Sequence, residues 1–317
     1  MIYSYARNVL FIEYSDDKRE KIRNYINEIA YDDSCVLLIG NDDILPFEKT
    51  PSPVDDGDGL ILTDNYWSSK SKDMLYPDLT VSRIPNAKDE KLNDFLNKVE
   101  NIFKIDRINS NERFGITAKI WTKAANAVFK NIKGTGEILN SPPYSIKNSG
   151  KIEFDDFNGA LYFNLHGDKD IKGWYGQRGY FETGEEYPLA IMPDSFDSGI
   201  EKTFLLSEAC FGGYIVNKKN NESIPLNAIK NGARFVIAST STAYGPYNPP
   251  LSEADLFMEF FIKELNKGKE SGQAFKNAKR KFIVYNIQKN GFLDNDDKKT
   301  VLQFTFYGNP FIKVKNE

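Results

Sequence analysis

Residues 203–213 read TFLLSEACFGG, an apolar run that ends close to Cys210 and a pair of glycines. Residues 160–168 read ALYFNLHGD, a second apolar run that ends close to His166. Runs this short and this continuously apolar are typical of strands that are buried on both faces of a parallel sheet. The pattern therefore places one cysteine and one histidine at the ends of two buried strands.

Two further segments, 35–39 and 234–239, have the same continuous apolar character. Amphipathic segments with apolar residues at helical spacing lie between the runs, at 17–30, 87–105, 123–132, 225–231, 252–268 and 271–288. Strands that alternate with helices favour an α/β fold with a mostly parallel sheet. We therefore predict a three-layer α/β/α architecture.

The chain has 317 residues, enough for one large domain or two smaller ones. A polar stretch at 106–113 predicts a boundary between an N-terminal α/β subdomain, residues 1–110, and a second subdomain, residues 111–317. The second subdomain contains both His166 and Cys210.

Composition excludes several functional classes. The formal net charge is −4, whereas nucleic-acid-binding proteins usually carry a basic surplus. No segment approaches the roughly 20 apolar residues that cross a bilayer, and the apolar run at 9–12 is too short for a signal peptide. We expect no nucleic-acid or membrane partner. We expect a cytoplasmic location for the chain as given, or an exported one if the chain is an excised domain.

The chain contains one histidine, His166, and two cysteines, Cys35 and Cys210. Neither cysteine lies in a CxxC or Cys/His cluster, which argues against a disulfide framework and a zinc site. We expect no metal and no cofactor. Cys35 opens an apolar strand, where a cysteine is most often an inert core residue.

Cys210 and His166 form a candidate catalytic pair. The carboxyl ends of parallel strands meet at one edge of a sheet, where ligands bind, so the two side chains should lie side by side. A thiol with a pKa of about 8.5 is only slightly ionised at neutral pH and needs a base beside it. His166 is the imidazole that can serve.

Glycines follow both residues of the pair. Gly167 and Gly212 leave the backbone room to approach a substrate carbonyl, and amides in this region can donate to a developing oxyanion. We therefore predict an oxyanion site built from the backbone near Gly167 and Gly212.

A strand that ends in His-Gly, followed by a strand that ends in Glu-Ala-Cys, resembles the pattern shared by caspases, legumains, clostripains and gingipains. Further stretches resemble gingipains in particular, and they extend from about residue 35 to the C-terminus. These stretches are VLLIGNDDILP at 36–46, DNY at 64–66 with DLTVSRIP at 78–85, FVIAST at 235–240 and FYGNP at 306–310.

The resemblance implies a caspase-like fold of two side-by-side subdomains and hydrolysis of a polypeptide substrate through an acyl-enzyme. It also implies sharp selectivity for the residue before the cleaved bond. One alternative is a regulatory or partner-activated module that keeps the fold but has little free activity. Another is a Cys-His acyltransferase or amidase on a different α/β fold.

In several members of this clan, an acid two residues before the cysteine helps to line the specificity pocket. Glu208 has that position, and a carboxylate there favours Arg or Lys. Legumain-like enzymes share Glu-Ala-Cys but prefer Asn, so cleavage after Asn or Asp stays an alternative. The resemblance also implies that the loop after the next strand forms a pocket wall, which contains Ser239 and Thr240 and has Tyr244 as an aromatic lid.

Two segments depart from the known patterns that they resemble. The segment ITAKIWTK at 116–123 lacks the acid with which gingipains orient the histidine, so no third catalytic residue is identified. If the Lys123 side chain of this segment entered the specificity pocket, it would reverse the sign of the charge there. The segment DDGDG at 55–59 looks like part of a calcium loop but lacks the later bidentate glutamate. We interpret it as an acidic turn.

We predict that Cys210→Ala and His166→Ala each abolish peptide hydrolysis without unfolding the protein. Loss of a nucleophile or of its base lowers kcat by several orders of magnitude. Turnover of fluorogenic peptides, with circular dichroism as the control for folding, measures the effect. Near wild-type turnover by Cys210→Ala would refute the mechanism.

Overall fold

The computed structural model describes residues 10–154 and 156–315. The helices are α1 (Arg19–Ile29), α2 (Asn65–Ser68), α3 (Leu92–Ile102), α4 (Thr122–Phe129), α5 (Ile146–Ser149), α6 (Ile224–Lys230), α7 (Glu253–Leu265), α8 (Ser271–Asn290) and α9 (Asn295–Gln303). Each helical segment predicted from the sequence overlaps one of them. None of these described helices combines the length and the apolar composition that crossing a bilayer requires.

The strands are β1 (Cys35–Ile39), β2 (Glu48–Pro51), β3 (Leu60–Thr63), β4 (Thr80–Ile84), β5 (Arg107–Asn109), β6 (Glu112–Ala118), β7 (Ile138–Ser141), β8 (Asn158–Asn164), β9 (Trp174–Tyr175), β10 (Leu189–Ile191), β11 (Lys202–Ser207), β12 (Phe235–Ser239), β13 (Phe304–Gly308) and β14 (Lys313–Lys315). Eight of these described strands form the central sheet, in the order β1-β4-β13-β12-β11-β8-β6-β7. Neighbouring strands are parallel except for β12 and β13. The predicted mostly parallel α/β fold is confirmed.

The central strands bury both of their faces. Leu161, Leu205 and Val236 point into a core shared with α3 and α6. Their neighbours Phe204 and Phe235 point into a second core, shared with α4, α7 and α8. Alternate residues of one strand thus pack against different helix layers. Because both faces are buried, the strand segments are continuously apolar. Strand β1 differs because it lies at the sheet edge and is only partly buried.

The sheet is continuous across the predicted boundary at residues 110 and 111. Strands β1 and β4 precede the boundary, whereas β13 comes from the end of the chain. Strand β13 pairs with β12 along its length and with β4 through Tyr307 and Arg83. The division into two subdomains stays a prediction, and the boundary falls between β5 and β6.

Arg83 ties the loops at this end of the sheet together. Its fully buried guanidinium binds the Asp64 carboxylate through two bonds, Nη2 to Oδ1 at 2.5 Å and Nε to Oδ2 at 2.9 Å. The remaining nitrogen, Nη1, donates to the carbonyls of Gly40 at 2.8 Å and Leu45 at 2.6 Å. One side chain therefore holds the loop after β1 and the loop after β3.

We predict that Arg83→Met lowers the free energy of unfolding by about 3–5 kcal/mol, because it leaves the buried Asp64 carboxylate without a partner. Lys202→Met is the control, since Lys202 and Asp156 form an exposed pair at 3.0 Å whose loss should cost at most about 1 kcal/mol. Urea denaturation of both variants makes the comparison. Equal losses would contradict the assignment.

Candidate active site

The register of β8 and β11 brings His166 and Cys210 to one edge of the sheet. Phe163 lies opposite Ser207 in this parallel pair, and the Glu208 amide donates to the Phe163 carbonyl at 2.9 Å. Cys210 and His166 each follow three residues after that paired position. The two residues are partly buried in the loops that leave the strands.

Gly167 shows how closely these loops approach each other. A Cβ atom at this position would lie 2.4 Å from the Cys210 carbonyl oxygen, so glycine is required. Trp121 gives a second link, because its ring packs on the His166 ring at a centroid distance of 4.5 Å and also lines the pocket at Cys210. The imidazole and the thiol therefore border one cleft.

Gln177 is the hydrogen-bond partner of the histidine. His166 Nε2 lies 2.7 Å from Gln177 Oε1, and the Tyr187 ring packs edge-on against the imidazole. Because an amide oxygen only accepts, this contact places the imidazole proton on Nε2 and leaves Nδ1 free as a base. Paired backbone bonds to Tyr175, at 2.8 and 2.9 Å, fix the histidine backbone.

The surroundings keep both reacting groups neutral at rest. Burial lowers the pKa of His166, and the hydrogen bond that the imidazole donates to Gln177 offsets part of this. Burial raises the pKa of the Cys210 thiol, with a smaller opposing contribution from the Ala243 backbone. The Ala243 amide lies 3.4 Å from Cys210 Sγ. The thiol is therefore protonated at rest, beside a neutral imidazole.

The backbone amides of Gly167 and Cys210 donate to no oxygen of the described residues. These two amides are available to a substrate oxyanion. The Gly212 amide instead donates to the Ala209 carbonyl at 2.9 Å, so in this structure it is not free to bind an oxyanion. Phe211 adopts a φ of 54°, in the left-handed region, directly after Cys210.

A narrow pocket opens beside Cys210. Its walls come from the ends of β8 and β11, the loop after β12 and the start of α7, and its lining consists of Trp121, Asn164, Glu208, Cys210, Ala243, Tyr244, Gly245, Pro246, Ala254 and Asp255. The cavity volume is about 20 Å³, which is room for about one water molecule. A long side chain therefore needs the walls to move before it can enter.

Two carboxyl groups form the floor of the pocket. Glu208 accepts hydrogen bonds from Tyr162 Oη and Asn164 Nδ2, each at 3.0 Å, and is hydrogen-bonded to Asp255. Burial raises the pKa of Asp255 to about 7 and that of Glu208 well above its usual range. The pair therefore holds at least one proton near neutral pH.

The structure places one residue of the predicted pocket wall at the pocket and two behind it. Tyr244 lines the pocket. Ser239 and Thr240 are fully buried behind it, with hydroxyls that donate to the carbonyls of Ser241 at 2.9 Å and Leu62 at 2.6 Å. These hydroxyls stabilise the turn after β12 and do not reach a substrate.

Lys123 is exposed on α4 and does not line the pocket. The segment that carries it contributes Trp121 instead. The sequence analysis also missed Asn164 and Asp255. The β8–β11 register gives a signal for Asn164, since it lies beside Glu208, whereas Asp255 comes from a distant helix without any local motif.

Cys35 is only partly buried, because β1 is an edge strand, and it lines a surface depression far along the sheet from β11. Burial of its sulfur nevertheless raises the pKa of the thiol to about 12. Cys35 is therefore a poor nucleophile at neutral pH.

The sequence matches the model of peptidase family C25 over residues 6–148, a segment that ends before His166 and Cys210. A search of curated protein sequences gives no match.

Solved structures extend the comparison to the whole chain. The Arg-specific cysteine proteinase gingipain R matches 94% of this chain and 68% of its own, with a TM-score of 0.62 and 14% identity. The complex of Porphyromonas gingivalis RgpB pro- and mature domains matches 95% of this chain and 70% of its own, with a TM-score of 0.63 and 14% identity. At this identity the structural likeness concerns the fold alone. The chain thus carries the sequence pattern of peptidase family C25 in residues 6–148 and the gingipain fold over nearly its whole length, and both matches support a cysteine-type peptidase.

Proposed function

We propose that this peptidase uses Cys210 as its nucleophile and His166 as its proton carrier, and that it cleaves polypeptides after Arg or Lys. The observation that carries the proposal is the pocket beside Cys210. Two buried carboxyl groups form its floor, and no lysine or arginine of the described residues lines it.

The chemistry follows from the neutral resting pair. His166 Nδ1 takes the thiol proton as the sulfur attacks the peptide carbonyl, and the amides of Gly167 and Cys210 bind the resulting oxyanion. The C–N bond then breaks, and His166 gives the proton to the leaving amine. A water molecule, deprotonated by His166, attacks the thioester and releases the acid product and the thiol. Gln177 keeps the imidazole in the required tautomer throughout.

Selectivity follows from the charge of the pocket floor. An entering guanidinium or ammonium favours the ionised form of Glu208 and Asp255, so its binding releases the shared proton. An aspartate side chain would meet carboxyl groups of its own sign. An asparagine amide can still bond to a protonated carboxyl, and for this reason cleavage after Asn remains the alternative outcome.

A second candidate is a peptidase that is active only with a regulatory partner. The small pocket and the contact of Cys210 Sγ with Ala243 favour it, because both have to change before a substrate enters. The RgpB complex contains a pro-domain bound to its mature domain. Labelling of the isolated chain with a peptidyl acyloxymethyl ketone ending in Arg distinguishes the two, since a partner-dependent enzyme reacts only after the partner is added.

We predict that Asp255→Asn lowers kcat/KM for substrates cleaved after Arg by about 10- to 100-fold, the loss expected for a charge-assisted hydrogen bond. Glu208→Gln should also lower cleavage after Arg, because it removes the other carboxyl group of the pocket floor. Fluorogenic peptides ending in Arg, Lys, Asn or Asp measure the selectivity. Glu259→Gln, also on α7, is the control. Unchanged Arg cleavage in both pocket variants, or faster wild-type cleavage after Asn or Asp, would contradict the proposed selectivity.

We predict that Gln177→Glu shifts the acid limb of the kcat/KM profile to higher pH. A carboxylate beside Nε2 favours the imidazolium, so His166 loses its function as a base at a pH where the wild type still works, by roughly 1 unit or more. Gln288→Glu adds the same charge on the exposed end of α8 and should leave the profile unchanged. An unshifted acid limb in Gln177→Glu would show that the His166–Gln177 bond is not formed in the working enzyme.

A further inference from the structure

The acidic turn at 55–58 does not lie free in solvent, because its carboxylates bind the loop that forms the pocket wall. Asp58 accepts hydrogen bonds from the amide and the hydroxyl of Thr242, at 2.8 and 2.7 Å. Asp56 accepts one from the Tyr244 hydroxyl at 2.5 Å. Two carboxylates from the N-terminal part of the chain thus hold a segment that follows β12.

A buried lysine completes this contact. Lys299 lies on α9, its side chain is 0% exposed, and its ammonium binds both Asp56 and Asp58, the latter at 2.6 Å. The same ammonium lies 5.0 Å from the centre of the Tyr244 ring, on its face. Lys299 therefore offsets part of the negative charge of the two carboxylates from within the protein.

We propose that Asp56, Asp58 and Lys299, here named the charge clamp, are positioning residues that set the pocket wall 242–244 and thereby the substrate selectivity and the accessibility of Cys210. The inference rests on the proposed function for its substrate readout. It also predicts a change in the alkylation rate of the Cys210 thiol, which can be measured without substrate turnover.

The link to the thiol is direct. Ala243, between the two residues that the charge clamp binds, contacts Cys210 Sγ through its amide at 3.4 Å and its carbonyl at 3.5 Å. Tyr244 lines the pocket itself. A displacement of this short segment therefore uncovers the sulfur and changes the shape of the pocket at the same time.

The charge clamp is cooperative because its charges are buried. The Asp56 and Asp58 side chains are 12% and 5% exposed, so without Lys299 two carboxylates would face each other with little solvent to screen them. Without the Lys299 ammonium, the acidic turn at 55–58 would therefore move outward and lose its hydrogen bonds to Thr242. Replacement of Asp58 by asparagine keeps the shape of the side chain but weakens its bonds to Thr242 and to Lys299.

The test compares Asp58→Asn and Lys299→Met with Lys98→Met. Lys98 is the matched control, a buried lysine on α3 that pairs with Glu90 at 2.7 Å outside the pocket. The first readout is the rate of Cys210 carboxamidomethylation by iodoacetamide, followed by peptide mass spectrometry with Cys35 as internal reference. The second is kcat/KM for otherwise identical substrates cleaved after Arg and after Lys.

We expect both charge-clamp variants to alkylate faster at Cys210, by about 10-fold, and to lose about 10-fold or more in kcat/KM with a changed Arg-to-Lys ratio, since a small displacement of binding groups costs this much. Lys98→Met should change neither quantity. A lower melting temperature with unchanged alkylation and an unchanged ratio would overturn the proposal. If the Lys299→Met variant does not fold, the Asp58→Asn variant alone tests the proposal. A wild type that cleaves neither substrate refutes the proposed function, whereas the alkylation rates still decide the charge clamp.

Discussion

The parallel pairing of β8 with β11 is the constraint on which the site depends. With Phe163 opposite Ser207, Asn164 falls beside Glu208, and the loops that carry His166 and Cys210 leave the sheet together. Side chains on both faces of these strands are buried, so a slip of one residue would exchange the two cores and is strongly disfavoured. The cleft and the position of Glu208 in the pocket floor follow from this register, which the hydrophobic pattern of the strands determines, whereas Asp255 reaches the floor from α7.

Burial then gives the site its electrostatic character. It raises the pKa of the thiol, lowers that of the imidazole and raises those of both pocket carboxyls. The free enzyme therefore carries little charge where the chemistry takes place. In the proposed mechanism, charge develops when a cationic side chain enters the pocket and the thiol proton moves to His166. Substrate recognition and activation of the thiol would then depend on the same property, a poorly solvated cleft whose groups ionise when the substrate binds.

Local patterns were enough to predict the buried strands and the helices between them, and to select Cys210 and His166 as a candidate pair. Asp255 and Gln177 were missed because they reach the site from distant elements. Asp255 comes from α7 and Gln177 from a hairpin in an irregular stretch, and no local pattern gives either residue a role at the site. Helix α9 was missed because its sequence, NDDKKTVLQ, is mostly polar, although its Lys299 is fully buried. Ser239 and Thr240 were misread because a hydroxyl that caps a turn and one that binds a substrate look alike in sequence.

Strand β13 has a consequence for the order of assembly. It lies between β12 and β4, so the sheet stays split between its first two strands and the rest until residues 304–308 are in place. Helix α9, which supplies Lys299, directly precedes this strand. During synthesis, which proceeds from the N-terminus, His166 and Cys210 are therefore made long before β13, the strand that joins the two parts of the sheet. Such contacts between distant parts of the chain form slowly, and a nascent chain thus holds a thiol and an imidazole without a finished pocket around them.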